Sequence, residues 1–138
     1  MRSDLPAEGI PKMFIEPTKT YVSLSGDGTS KQFPGGAAFW SLPMQELERV
    51  GSTWLVTEHE CSENWPSWEI HPNADEFVYL IDGAATLLLE QGTAIREIDI
   101  VGGNAVVVPK GTWHTLKTNA RCRMLFVTMG AGTRNRPA

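Results

Sequence analysis

Residues 69–83 read Glu69-Ile70-His71-Pro72-Asn73-Ala74-Asp75-Glu76-Phe77-Val78-Tyr79-Leu80-Ile81-Asp82-Gly83. Glu69 and His71 stand two apart, so on an extended chain both side chains leave the same face. Pro72 supports extension, because the residue before a proline is driven out of the helical region. Pro72-Asn73 turns the chain, and Glu76 opens a new apolar run. If Glu76 points inward, Val78 and Leu80 follow it, while Phe77, Tyr79 and Ile81 face outward. An outward apolar row of that size calls for a cover, either the N-terminal arm or a second copy of the chain, and a homodimer is the expectation. Asp82-Gly83, followed by the apolar run Ala84 to Leu89, predicts a two-residue hairpin.

The same rhythm extends outward from this stretch. From Thr53 onward, short runs rich in Val, Ile, Leu, Phe and Thr are cut by turn residues at Asn64 to Ser67, Gln91-Gly92, Gly102-Gly103, Pro109 to Gly111 and Thr118 to Ala120. Such spacing predicts an all-β sandwich or barrel. The expected barrel occupies residues 53–130, with a C-terminal tail at 131–138. Residues 1–52 supply an N-terminal arm and flanking strands. Within them, 1–19 lack periodicity, 20–24 form a short strand, and turns fall at Gly26-Asp27-Gly28 and Pro34-Gly35-Gly36. Ala38 to Leu42 reads as extended. Ser41, with Pro43 and Glu46, then marks the start of a helix of about two turns that stops at Gly51.

A second stretch runs Gly103-(five residues)-Pro109-Lys110-Gly111-Thr112-Trp113-His114. With His71-(four residues)-Glu76-(six residues)-Gly83 it resembles, in order and in spacing, the two motifs of the cupin family. The resemblance implies a jelly-roll β-barrel (double-stranded β-helix) with a divalent transition metal inside it. By that likeness His71, Glu76 and His114 are ligands, and Glu69 stands where the family has its first histidine. The sequence departs from the family pattern in two further places. Glu63 replaces the Gly that opens the first motif, and Thr118 replaces the closing Asn of the second, although Asn119 follows it.

Two imidazoles and two carboxylates suit Fe, Mn, Ni or Zn, and the lack of thiolates or thioethers disfavours Cu(I). Two carboxylates converging in a low-dielectric interior repel each other unless a cation lies between them. The resemblance implies oxygenation, isomerisation or decarboxylation of a small organic acid or polyphenol-like molecule. The alternatives are a non-catalytic small-molecule binding or sensor protein, or a metal-free member with a structural role. An interior lined by Val78, Leu80, Val106 and Val108 suits a compact, mostly apolar ligand. His59 matches no motif position and is expected at the surface or behind the ligands. Trp65, Trp68 and Trp113 lie beside the motifs and are expected at the mouth of the site.

Bulk properties narrow the partners. A chain of 138 residues and net charge −4 is one domain without the clustered Lys and Arg that nucleic acid requires. No apolar run approaches the roughly 20 residues that span a bilayer, so no membrane partner is expected. Met1 to Phe14 has no apolar core of a secretory signal, which makes a cytoplasmic location the default expectation. Cys61 and Cys122 read as two buried, reduced thiols rather than a disulfide scaffold or zinc ribbon.

Overall fold

In the computed structural model, which describes residues 12–138, eleven strands and two short helices follow the chain. The first eleven residues of the expected arm lie outside the described residues. The strands are β1 (Thr20–Leu24), β2 (Ser30–Pro34), β3 (Trp54–Cys61), β4 (Ser67–Ile70), β5 (Glu76–Asp82), β6 (Ala84–Gln91), β7 (Ala94–Val101), β8 (Ala105–Val108), β9 (His114–Lys117), β10 (Cys122–Thr128) and β11 (Arg134–Pro137). Helices α1 (Ala37–Trp40) and α2 (Met44–Val50) lie between β2 and β3.

The strands form two antiparallel sheets, ordered β2-β1-β3-β10-β5-β8 and β11-β4-β9-β6-β7. Their facing sides enclose a core that includes Val78, Leu80, Leu87, Leu89, Val106, Val108, Leu116, Met124 and Phe126. This is the expected all-β jelly-roll barrel. A smaller cluster of Tyr21, Phe39 and Val50 fastens the helices against β1. The alternation expected on β5 holds: Glu76, Val78 and Leu80 are buried, while on the other face Phe77 is exposed and Tyr79 and Ile81 are half-buried.

Three local expectations are corrected. Asp82-Gly83 is not a hairpin, because β5 and β6 lie in different sheets and the dipeptide carries the chain across the barrel edge. Gly83 has φ +98°, and a Cβ there would stand 2.7 Å from the Arg121 carbonyl oxygen, so the crossing needs glycine. The two-residue hairpin is instead at Gly92-Thr93, where β6 and β7 pair from Ala84↔Val101 to Gln91↔Ala94. Ala38 to Leu42 is not extended: residues 37–40 form α1, which seats Phe39 edge-on against Tyr21 at 5.3 Å. Burial of one aromatic ring decides that short run, which periodicity alone leaves ambiguous. Helix α2 starts after Pro43, two residues later than expected, because Ser41 instead closes α1 by donating its hydroxyl to the Ala37 carbonyl.

Residues 134–137, within the expected tail, pair with β4 as strand β11, in register from Arg134↔Ile70 to Pro137↔Ser67. Cys61 and Cys122 are free thiols facing each other across β3 and β10, with their sulfurs 3.4 Å apart. Cys122 is buried as expected, but Cys61 is only half-buried, because it closes the end of its strand. No helix among the described residues is long and apolar enough to cross a membrane.

Candidate metal centre

Glu69 and His114 are direct partners across β4 and β9, so strand register alone puts their side chains together. His71 leaves β4 at Pro72, and its carbonyl accepts the Gly111 N–H at 2.9 Å, which ties the two motif turns to each other. Asp75 adds a second tie by accepting the Lys110 N–H at 2.9 Å. Glu76, at the start of β5 opposite Val108, reaches in from the other sheet. The four residues therefore bridge both halves of the barrel. His114 is 0% exposed and Glu76 4%.

The distances suit a shared ion. A Glu76 carboxylate oxygen lies 3.1 Å from His114 Nε2 and 3.4 Å from His71 Nε2, and a Glu69 oxygen lies 3.6 Å from His71 Nε2. One donor atom each of Glu69, His71 and His114 falls within 4.8 Å of the others; Glu76 is outside that group of three and meets it through His71 and His114. Donors that each sit about 2.1 Å from one ion are roughly 3.0–3.5 Å from one another at neighbouring positions.

Hydrogen bonding behind the rings fixes which nitrogen faces the centre. The Thr133 hydroxyl donates to the Gly130 carbonyl at 2.7 Å, so its oxygen accepts from His71 Nδ1, also at 2.7 Å. His71 Nε2 is thereby left as a lone pair, buried and without a hydrogen-bond partner. His114 Nδ1 likewise donates to the Thr112 carbonyl at 3.0 Å. Both imidazoles aim Nε2 at the carboxylates, the arrangement that metal-ligating histidines use. A buried orphan acceptor beside two carboxylates is costly by itself and fits a cation.

The ionisations show the same tension. Burial would raise Glu76, but the hydrogen bond from His114, which carries a proton on both ring nitrogens when no ion is bound, and the nearby His71 ring overcome it and hold the carboxyl down at about 2. Glu69 goes the other way, raised by burial and by the Glu76 charge. Burial would lower His114, yet the hydrogen bond and charge of Glu76 raise it. The two carboxylates thus have opposed environments, and Glu69 is the one that takes up a proton more easily.

His59 is neither at the surface nor behind the ligands. It sits on β3 opposite Met124, packs against Tyr21 and Phe126 with ring centroids at 5.7 and 5.5 Å, and lines the same cavity as Glu69 and Glu76. Its pKa is lowered by burial. Of the three tryptophans beside the motifs, only Trp65 faces this cavity, 6.3 Å from the His114 ring. Trp68 and Trp113 flank Arg136 at 5.3 and 4.5 Å instead. Each precedes an inward residue, Glu69 or His114, so strand alternation turns it outward. Thr133 and Thr112 went unanticipated; Thr133 lies in a glycine-rich segment with no motif.

The family model described as a cupin domain matches residues 57–128, more than half of the chain. No curated protein matches. Among solved structures, a Neisseria meningitidis protein aligns at 17% identity over 55% of this chain and 73% of its own, with a TM-score of 0.48. A cupin-2 domain protein from Shewanella frigidimarina aligns at 18% identity over 55% and 70%, with a TM-score of 0.46. Oxalate decarboxylase from Bacillus subtilis, described with Mn(II) centres, aligns at 17% identity and a TM-score of 0.49, over 62% of this chain but only 23% of that one.

Proposed function

This chain belongs to the cupin family, and on that premise we propose that it holds one divalent transition metal on Glu69, His71, Glu76 and His114 and acts there on a small organic molecule. The observation that carries the reading is the buried, unpartnered Nε2 of His71, whose lone pair is fixed by Thr133 and aimed at two carboxylates. Fe, Mn, Ni or Zn fits the nitrogen and oxygen donors.

When bound, the ion supplies Lewis acidity or oxygen activation, the chemistry of an oxygenase or isomerase. The protein's own residues divide the remaining work. His71 and His114 present lone pairs held in one tautomer by Thr133 and Thr112. Glu76, buried at the start of β5, would give the ion one negative charge and Glu69 a second. Glu69, at the cavity wall, is the group suited, when displaced from the ion, to take a proton from a substrate and return it. Leu55, Trp65 and Phe126 give the cavity an apolar wall.

Elemental analysis of protein purified without chelator tests the reading. About one transition metal per chain is expected in the parent and none in the His71→Ala/His114→Ala double variant. A parent that is empty and refuses added Mn, Fe, Ni and Zn would overturn it. We also propose a homodimer, on the support of the outward apolar row of β5 and β8, where Phe77 is 40% and Val107 58% exposed.

A further inference from the structure

A cavity of about 150 Å³ opens beside Glu69 and Glu76, two of the four candidate ligands. Its size is the first constraint: an enclosed apolar cavity of roughly this volume takes up benzene, so this space, partly open to the surface, seats about one six-membered ring within its walls. Its walls are the second. Trp40, Trp65 and Phe126 surround the space with ring faces and edges, and Trp65 packs 5.9 Å from Phe126. Charge is the third. Glu69 and Glu76 line the cavity, and no Lys or Arg does so among the described residues. A divalent ion cancels those two carboxylates and leaves nothing to balance an anionic ligand; without the ion, an anion fares worse still. His59 is the fourth. It lines the same space and, among the described residues, no protein group hydrogen-bonds its ring nitrogens.

We infer that the cavity takes a neutral single-ring aromatic molecule bearing one hydroxyl, a simple phenol, with the ring among Trp40, Trp65 and Phe126 and the hydroxyl at the end walled by His59 and the two glutamates. His59 is a specificity residue in this arrangement: it pairs with the hydroxyl, and a carboxylate in the same place meets Glu69 and Glu76. The inference rests on the metal-centre reading for the identity of the reacting group, but the selection by size and charge belongs to the cavity.

Calorimetric titration of the zinc-loaded protein tests it, since zinc cannot oxidise the probe. Phenol should bind at least about tenfold more tightly than benzoate or oxalate, which differ in charge, and than 1-naphthol, which differs by one ring. His59→Leu should weaken phenol binding roughly tenfold, the worth of one good hydrogen bond, with zinc still at one per chain. Thr57→Phe, which fills the cavity from β3, should abolish phenol binding without loss of zinc. Benzoate, oxalate or naphthol binding as tightly as phenol would overturn the inference, as would phenol affinity indifferent to both substitutions. If the parent takes up no zinc, the metal-centre reading fails separately. The same titrations on metal-free protein then decide the cavity: preference for phenol over benzoate upholds the inference, and no preference overturns it.

Discussion

Thr133 shows how much of the site lies outside its ligands. It holds His71 in the tautomer that leaves Nε2 free, so Thr133→Val is expected to weaken zinc binding about 10–100-fold while the far-ultraviolet circular dichroism stays unchanged. Thr133→Ser should restore most of the loss, because the hydroxyl and not the methyl carries the contact. Glu69 makes a second case. Its carboxyl is raised above the ordinary 4.5 by burial and by Glu76, so the folded metal-free protein binds more protons than the unfolded chain above that pH. Stability therefore falls as pH rises through 4.5. In chelator, Glu69→Gln should melt higher than the parent at pH 7, with the gap closing near pH 4, while its zinc affinity drops. Equal melting at pH 7 would mean Glu69 carries no penalty. His71, Glu76 and His114 could be found in the sequence because their spacing is a motif. Thr133 and Thr112 could not, since they act through one hydroxyl and one carbonyl whose partners are set by tertiary contact. Nor could the inward place of His59, which depends on the pairing of β3 with β10.

At the level of strands, period was readable and partnership was not. Alternation put Glu76, Val78 and Leu80 on the inner face before any pairing was known. Applied with equal care, the same rule turns Trp68 and Trp113 outward, because each precedes an inward residue. Asp82-Gly83 misled because a tight glycine turn looks alike whether it closes a hairpin or carries the chain between sheets. Two glycines test that distinction. Gly83→Ala forces a Cβ onto the Arg121 carbonyl oxygen and Cys122, with φ at +98°. It should therefore destabilise by well over the roughly 1–2 kcal/mol of a left-handed alanine alone. Gly92→Ala, at the true hairpin with φ +65° and no atom within 4 Å, should cost only that conformational term. Urea midpoints compare the two directly, and equal losses would show that Gly83 is an ordinary turn.

For the molecule as a whole, the all-β barrel was legible because turn residues recur at strand-length intervals and two motifs anchor it. The N-terminal segment was less so, as α1 exists to bury Phe39 against Tyr21 rather than to satisfy a pattern. If the outward row of β5 and β8 is the dimer contact, Phe77→Lys/Val107→Lys should halve the mass seen by sedimentation equilibrium and leave zinc content intact. A parent already monomeric at micromolar concentration would rule that contact out. The support of His71 by Thr133 carries a consequence in time. That contact spans 62 residues, and the one between Glu76 and His114 spans 38. Contacts this distant in sequence carry a large loop-closure cost and are expected to close late, after both sheets have formed and β11 has docked on β4. An ion that needs all of them meets a barrel already finished. It should leave the refolding rate almost untouched and lengthen the lifetime of the native state, a brake on opening rather than a template for assembly.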